Sequence, residues 1–211
     1  VRRNCFFRSH RSTAMQIAIV VFDGVDELDA IAPFEVFDNA RQAGADLDVE
    51  LCSLDAAEIT ASHGLRMGVD HRLADLDPDL LVVPGGQWGS RGEPGAWAEA
   101  ERGALPEAIG RLQEAGVDLA AVCTGGMLLA RAGVTDGRPA TTHASAREEL
   151  AESGAELVDA RVVDDGDLVT AGGVTAGLDL AFHLVEREFG AELADRVATR
   201  MEYEPVEAVS P

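Results

Sequence analysis

The sequence predicts an α/β fold in which helices cover both faces of a mostly parallel sheet. Residues 17–22, 80–83 and 117–122 are short, largely apolar runs, which are typical of strands buried on both faces of a parallel sheet. Stretches of helical periodicity lie between these runs. Because strands that alternate with helices usually pair in parallel through right-handed crossovers, the pattern indicates one doubly covered sheet.

Each element follows from a local pattern. The first strand, residues 17–22, ends at the turn-forming pair Asp23 and Gly24, and a helix at residues 30–43 ends at Gly44. A strand at 49–54 and a hairpin at 59–69 come next. They are followed by a strand at 80–83, helices at 96–101 and 105–115, a strand at 117–122, a helix through 127–130, an extended block at 140–143, a helix at 146–153, strands at 161–163 and 168–170, and an amphipathic helix at 174–189.

The composition predicts one domain that binds neither nucleic acid nor a membrane. The chain has 211 residues, 46% of them hydrophobic, and a formal net charge of -21. Nucleic-acid binding depends largely on cationic groups that meet phosphates, so this acidic chain argues against it. No apolar run reaches the roughly 18 to 20 residues that a membrane-spanning helix needs.

The charged residues also suggest a habitat. Acidic residues outnumber basic ones by 38 to 17, and every basic residue is arginine. High salt shortens the Debye length to about 3 Å at 1 M and screens the repulsion between carboxylates. We therefore expect a halophilic protein.

The first 14 residues differ in charge from the rest, with four arginines and no acid. We predict that residues 1–14 are a disordered extension or an artefact of the assigned start, with Met15 as the native start and residues 15–211 as one domain. Cys5, Cys52 and Cys123 are an odd number at wide spacing, unlike a disulfide framework or a zinc site. This usage suggests a reducing cytoplasm.

Cys123 lies between the predicted strand at 117–122 and a helix, with Gly125 and Gly126 shortly after it. This is the layout of a nucleophile elbow, in which a tight turn exposes the side chain to substrate. Amides at a helix N-terminus favour a thiolate, so we expect a lowered pKa and a reactive thiol, with an inert buried thiol as the alternative. The loops after residues 22, 83 and 122 should meet in one cleft, because ligands bind at the carboxyl ends of parallel strands.

Five blocks of sequence make the chain resemble the ThiJ/PfpI superfamily, which has a class I glutamine amidotransferase-like fold. They lie at residues 28–33, 83–86, 121–125, 140–143 and 170–179. The resemblance implies a flavodoxin-like three-layer sandwich. The Cys-Thr-Gly elbow, the aspartate and the Ala-Thr-Thr-His block look most like the isocyanide hydratase branch and the amidotransferase-like domains of AraC-type regulators. That branch usually has an aromatic residue where this chain has Ala144, which implies a differently shaped pocket.

The resemblance also implies roles for individual residues. Cys123 would be the nucleophile and Asp29 its acidic partner, in a homodimer that acts on a small molecule without a metal or other cofactor. Fixed N–H donors aimed at developing negative charge are worth about 3 to 4 kcal/mol each. The anion-stabilising and substrate pocket would include Gly85, Gly86, Thr124, Gly125, Gly172, Gly173 and Thr175.

Several of these residues have a second interpretation. Asp29 could instead cap the helix that follows it, since aspartate is a common N-cap residue. His143 is equally consistent with a catalytic base and with a structural residue at the end of a strand. The remaining candidates are expected to be structural: His63 and His71 solvated, His183 in helix packing or an interface, and Cys52 in the core.

Three functions are compatible with this pattern. The leading hypothesis is a cysteine-dependent hydratase or lyase acting on a small electrophile, with hydration of an isocyanide to an N-substituted formamide as the specific reaction. The second is a cofactor-independent glyoxalase, although Asp29 and Thr124 stand where such members usually have glutamate and histidine. The third is a redox sensor or stress-response protein whose cysteine is oxidised.

Overall fold

The computed structural model describes residues 14–92 and 94–211. Residues 1–13, which hold Cys5 and nearly all of the predicted extension, lie outside the described residues. The described chain has eleven strands, at β1 Met15–Val20, β2 Leu47–Ser53, β3 Glu58–Thr60, β4 Arg66–Gly68, β5 His71–Arg72, β6 Leu80–Val83, β7 Asp118–Ala121, β8 Pro139–Ala140, β9 Glu156–Leu157, β10 Val162–Asp164 and β11 Leu168–Ala171.

Seven of these strands form one sheet in the order β10-β11-β7-β6-β1-β2-β5. All neighbours pair in parallel except β10 and β11, which are antiparallel. Strand β6 is buried along its whole length, as its uniformly apolar sequence predicts. The chain moves outward from β1 to β2 and then returns to β6 on the other side of β1. The carboxyl ends of β1 and β6 therefore form the point where strand order reverses, which is the usual ligand site of such sheets.

Helices lie around this sheet, as predicted. Helix α1 packs against α6 and α7, and α2, α3 and α4 pack against one another. Helices α3 and α7 bury an apolar side while their polar side stays in water, whereas α4 is buried over most of its length. Their bounds are α1 Glu27–Gln42, α2 Ala96–Arg102, α3 Ala104–Glu114, α4 Gly125–Arg131, α5 Arg147–Glu152, α6 Ala176–Phe189 and α7 Ala191–Met201.

The sheet and helices agree with the sequence prediction in type and order, but several details differ. Helix α1 begins three residues earlier than predicted, because Asp26 caps it by accepting the N–H of Leu28 at 3.2 Å. Asp29 therefore lies in the first turn of α1, and its interpretation as the helix cap was wrong. Helix α6 begins later than predicted, at Ala176, since Val174 has a positive φ of 42°.

The third difference is helix α7, which sequence reasoning missed. Its buried residues, Leu193, Ala194 and Val197, recur at helical spacing, so the periodicity that identified the other helices would have found it. Two small pairs stand apart from the main sheet. One is the predicted hairpin β3–β4, and the other joins β8, which begins the predicted extended block, to β9, which was not predicted. In the part of the chain that the structure describes, no helix is long and apolar enough to cross a membrane.

Candidate active site

Cys123 occupies a tight turn between β7 and α4, as the elbow pattern predicts. Its φ is 58°, a left-handed value that is uncommon for a residue with a side chain. Backbone hydrogen bonds hold this conformation: its N–H donates to the carbonyl oxygens of Gly172 at 2.8 Å and Ala171 at 3.2 Å. Its carbonyl oxygen accepts from the Thr142 hydroxyl at 2.7 Å. This conformation costs about 1 to 3 kcal/mol, and hydrogen bonds to two other segments hold it in place.

Glycines make this turn possible because neighbouring backbone comes too close for a side chain. A methyl group at Gly125 would overlap the carbonyl oxygen of Val83, and one at Gly85 would lie 2.5 Å from the Thr124 nitrogen. The segments after β6 and β7 are therefore in direct backbone contact. The predicted convergence of these loops is found, and Gly85, Gly125 and Thr124 lie together in it.

Asp29 is the acidic group of this cluster. Its side chain is 0% exposed and its Oδ2 accepts the N–H of Gly85 at 3.0 Å. Its Oδ1 accepts no hydrogen bond from the N–H and O–H groups of the residues that the structure describes. The carboxyl group interacts with the thiol of Cys123. A buried carboxyl group that accepts the N–H of Gly85 thus lies beside the cysteine.

Burial raises the pKa of both members of this pair. Desolvation, and then the charge of Asp26, raise the pKa of Asp29 to about 7. Desolvation, and then the charge of Asp29, raise the pKa of Cys123 to about 12. The expectation of a lowered thiol pKa was therefore wrong, because burial and a neighbouring anion outweigh the backbone amides that lower it. The resting thiol is protonated, and the carboxyl group titrates near neutral pH, where it can take up a proton.

Two backbone amides face the cysteine sulfur, those of Val174 and Thr124, and both lower its pKa. The Thr124 amide belongs to the predicted anion pocket. The Gly86 amide, also predicted there, instead donates to the Thr124 hydroxyl at 3.0 Å. Val174 was missed. A valine with positive φ is rare. Nothing in the residues around Val174 indicates that its N–H points to another segment.

Gly172 and Gly173 lie beside the elbow, on the segment that also carries Thr175. Gly172 contacts Cys123 through its carbonyl oxygen, and a methyl group at Gly173 would overlap the His143 ring. The Nδ1 of His143 accepts the N–H of Ser145 at 3.2 Å, which leaves Nε2 to carry the proton of the neutral ring. His143 also donates its backbone N–H to the Cys123 carbonyl at 3.4 Å. These contacts fit a structural role better than that of a base.

The other candidate residues lie elsewhere. His63 is exposed and pairs with Glu27, its Nδ1 2.7 Å from Oε2, rather than being solvated alone. His71 lies 3.5 Å from Glu50, and His183 lies 2.5 Å from Asp164. Cys52 is buried, and desolvation raises its pKa to about 12, as suits a core residue.

Asp26, Glu27 and His63 bring three possible metal-ligand atoms within 4.8 Å of one another, a grouping that the sequence did not suggest. Burial raises the pKa of Glu27, but hydrogen bonds from His63 and Leu65 outweigh it and lower that pKa to about 2. These contacts join the turn between β3 and β4 to the start of α1. The Glu27 oxygens that would bind a metal ion already accept these hydrogen bonds.

A surface cavity of about 600 Å³ opens at the same edge of the sheet. Gly24 and Gln87, which follow β1 and β6, both line it. Cys123 does not line this cavity and is only 6% exposed. The thiol is thus nearly buried and lies outside this cavity. The cavity's other lining residues are Asp23, Thr60, Ala61, Ser62, Ser90, Gly92 and Pro94.

The loop after Gln87 is held in place by contacts with helices α2 and α5. Arg91 lies over the Trp97 ring at 3.9 Å and donates to Glu149 at 2.5 Å. Trp88 donates its ring N–H to the same carboxylate at 3.2 Å. Glu149 of helix α5 thereby holds the loop that lines one side of this cavity.

Comparisons with known proteins agree with this architecture. The pattern of the DJ-1/PfpI family matches residues 15–187. The chain is 33% identical over 193 residues to the isonitrile hydratase of Pseudomonas putida, covering 91% of this chain and 80% of that protein. Over 175 residues it is 34% identical to the HTH-type transcriptional regulator CdhR of Pseudomonas aeruginosa, covering 81% of this chain and 49% of the regulator. It therefore spans about half of that regulator.

Among solved structures, a THiJ/PfpI family protein from Pseudomonas syringae superposes with a TM-score of 0.80. The two are 25% identical, and the match covers 98% of this chain and 84% of the other. The similarity extends over the sheet and the surrounding helices. The resemblance expected from the five sequence blocks is confirmed, including the hydratase and regulator branches.

Proposed function

The chain belongs to the DJ-1/PfpI family, and from that premise we propose that it is a cysteine-dependent hydratase of small electrophiles, with an isocyanide as substrate. Cys123 is the nucleophile and Asp29 the group that accepts and returns its proton. The observation that carries the proposal is the buried Asp29 carboxyl group, whose pKa is raised to about 7 by burial, in contact with the protonated thiol of Cys123. A group that titrates near neutral pH can act in turn as base and acid.

The reaction balances with these two residues and water. Asp29 takes the thiol proton as the sulfur bonds to the terminal isocyanide carbon, and it then gives this proton to the same carbon. The product is a thioimidate, with carbon bonded to sulfur, nitrogen and hydrogen. Water adds to this carbon, and the carbon–sulfur bond breaks. One proton of this water goes to the nitrogen and the other, through Asp29, goes to the departing sulfur. The N-substituted formamide then leaves, so one difficult hydration becomes two easier steps.

The amides of Val174 and Thr124 support the first step. Both face the sulfur and favour its anionic form. They are fixed by the fold and need no reorganisation while the proton leaves. Burial keeps the thiol neutral at rest, and these donors lower the cost of its brief ionisation.

One relative supports the choice of substrate. The protein from Pseudomonas putida is called an isonitrile hydratase, and isonitrile is another word for isocyanide. Ala144 is exposed in this structure and leaves room at a position where the hydratase branch usually has an aromatic ring. We therefore propose that the chain accepts a bulkier isocyanide substituent there.

The test is turnover of para-nitrophenyl isocyanide by the full chain in 2 M salt, followed by the appearance of the formamide. We expect turnover that falls to background in Cys123→Ala. Cys52→Ala, which alters a buried cysteine outside the site, is the matched control and should retain the activity.

Formamide production that survives in Cys123→Ala would contradict the proposal. Turnover of methylglyoxal in place of the isocyanide would favour the glyoxalase alternative. Absence of both activities, with peroxide oxidising Cys123 to a sulfinic acid detected by mass spectrometry, would favour the sensor alternative.

A further inference from the structure

The segment between β11 and α6 carries the Val174 amide that faces the Cys123 sulfur. Val174 has a φ of 42°, and a β-branched residue with positive φ is a genuine conformational outlier. Such a conformation persists only where surrounding contacts over-determine it. The contacts of this segment therefore determine whether the Val174 N–H continues to point at the Cys123 sulfur.

Arg161 contacts this segment on both sides of Val174. Its carbonyl oxygen accepts the N–H of Gly172 at 2.9 Å. Its guanidinium Nη2 donates to the Thr175 Oγ1 at 3.0 Å. One residue from before β10 thus brackets the strained position with a backbone bond on one side and a side-chain bond on the other.

The Thr175 hydroxyl is used in an unusual way. Thr175 is the N-cap residue of α6, but its side chain makes no capping hydrogen bond. A threonine at this position normally accepts an N–H from the first turn of its own helix, which contributes about 1 kcal/mol. Here the oxygen accepts from Arg161, so the contact with the arginine replaces the usual cap.

Arg161 is itself held in a fixed direction. Its Nε donates at 2.5 Å to Oδ2 of Asp179, a carboxylate that is 0% exposed. The other oxygen of Asp179 accepts the Tyr203 hydroxyl at 3.0 Å and the Val206 N–H at 2.8 Å. With both oxygens occupied, the carboxylate cannot swing away, and the planar guanidinium reaches Thr175 with its second nitrogen.

We propose that Arg161 is a positioning residue that, through Thr175, keeps the Val174 amide directed at the Cys123 sulfur. It touches neither the sulfur nor a reacting atom. The inference rests on Cys123 being the reacting group of the proposed function, but not on an isocyanide being the substrate. Release of Thr175 lets Val174 relax towards negative φ and turns its N–H away from the sulfur.

The test is the rate of alkylation of Cys123 by iodoacetamide from pH 6 to 11 in the full chain, with the modified cysteine identified by mass spectrometry. Thr175→Val removes the acceptor oxygen at an exposed position and leaves the Arg161–Asp179 pair intact. We expect its rate constant at pH 8 to fall about three- to tenfold, with the profile moved to higher pH, because a hydrogen bond to the thiolate is weakened.

Thr175→Ser keeps the hydroxyl and should restore the rate to within about twofold of the natural chain. Arg161→Lys should slow alkylation like Thr175→Val, because an ammonium group cannot serve both Asp179 and Thr175 in the same geometry. Arg138→Gln is the matched control. It breaks a similar half-buried arginine pair, with Asp165 and Asp167, and should leave the rate unchanged.

Equal rates in Thr175→Val and Thr175→Ser would overturn the inference, and so would a lower unfolding temperature in Thr175→Val with an unchanged alkylation profile. The two proposals can fail separately. If the natural chain does not hydrate isocyanides but Thr175→Val slows alkylation, only the substrate is wrong. If hydration occurs and alkylation is insensitive to Thr175, only the positioning role is wrong.

Discussion

Burial raises the pKa of both Asp29 and Cys123, and the charge of Asp29 makes ionisation of Cys123 more costly still. The carboxyl group receives one N–H, from Gly85, while the sulfur faces two amides. These donors offset only part of the desolvation, and the pKa of both groups stays above its ordinary value. Between about pH 7 and 12 the pair therefore carries one negative charge, which lies on Asp29.

The raised pKa of Asp29 makes a prediction about stability. Its pKa is 3.8 ordinarily and about 7 in the folded protein, so between these values the folded chain keeps a proton that the unfolded chain has lost. The free energy of unfolding must then decrease as pH rises from about 4 to 7. Asp29→Asn removes this cost. We expect the variant to match the natural chain near pH 4 and to exceed it by a few kcal/mol at pH 8.

Urea unfolding at both pH values measures this difference. Glu35→Gln, an exposed carboxyl group on the same helix, is the control and should show no such gain. A variant no more stable at pH 8 than at pH 4, relative to the natural chain, would show that Asp29 is not the cause. Loss of turnover in the stabilised Asp29→Asn chain is expected as well, since the amide cannot carry the proton.

At the scale of elements, the site depends on how closely the loops after β6 and β7 approach each other. The elbow turn brings the backbone of Gly125 against Val83, and the segment at Gly85 against Thr124. These contacts join strands whose pairing is already fixed by the sheet register. The elbow turn therefore cannot move away from the segment after β6 unless the pairing of β6 with β7 is broken.

We therefore predict that Gly125→Ala destabilises the protein by about 3 kcal/mol or more, because the added methyl group overlaps the Val83 carbonyl. Gly110→Ala, inside helix α3, is the matched control. Its methyl group would meet its nearest neighbour at an ordinary 3.7 Å and should stabilise the helix by up to about 1 kcal/mol. Urea unfolding measures both, and similar stabilities for the two variants would refute the packing argument.

At the scale of the whole molecule, the dominant feature is the charge of -21. Ion pairs such as Arg41 with Asp38 and Arg111 with Glu107 are largely exposed, and such pairs contribute little stability in water. They do not remove the excess of carboxylates. The folded chain concentrates this repulsion more than the unfolded chain does.

Salt should therefore stabilise the fold. We expect the thermal unfolding midpoint in 2 M KCl to lie well above that in 0.1 M KCl, because the Debye length falls from about 10 Å to below about 3 Å. An uncharged osmolyte at the same osmolality is the control, since it favours the compact state without screening charge. Equal midpoints at the two salt concentrations would remove the basis for calling the protein halophilic.

Local patterns were enough to predict most of the fold and the centre of the site. Uniformly apolar runs identified β6 and β7, and the glycines after Cys123 identified the elbow, because strand burial and tight turns leave their mark within a few neighbouring residues. The family's sequence blocks, read together, linked Cys123 with Asp29. These features depend on residue type and spacing along the chain.

Contacts between distant segments decided the remainder. The carboxyl group of Asp29 meets the Gly85 amide 56 residues away, the Val174 amide reaches Cys123, and both ionisable groups lose their water when the sheet and helices close around them. Burial raises the thiol pKa, whereas the helix N-terminus alone predicts that it is lowered. The positive φ of Val174, whose N–H faces the sulfur, has no counterpart in a local sequence pattern. Desolvation and backbone direction are properties of the packed molecule, so only the tertiary structure could supply them.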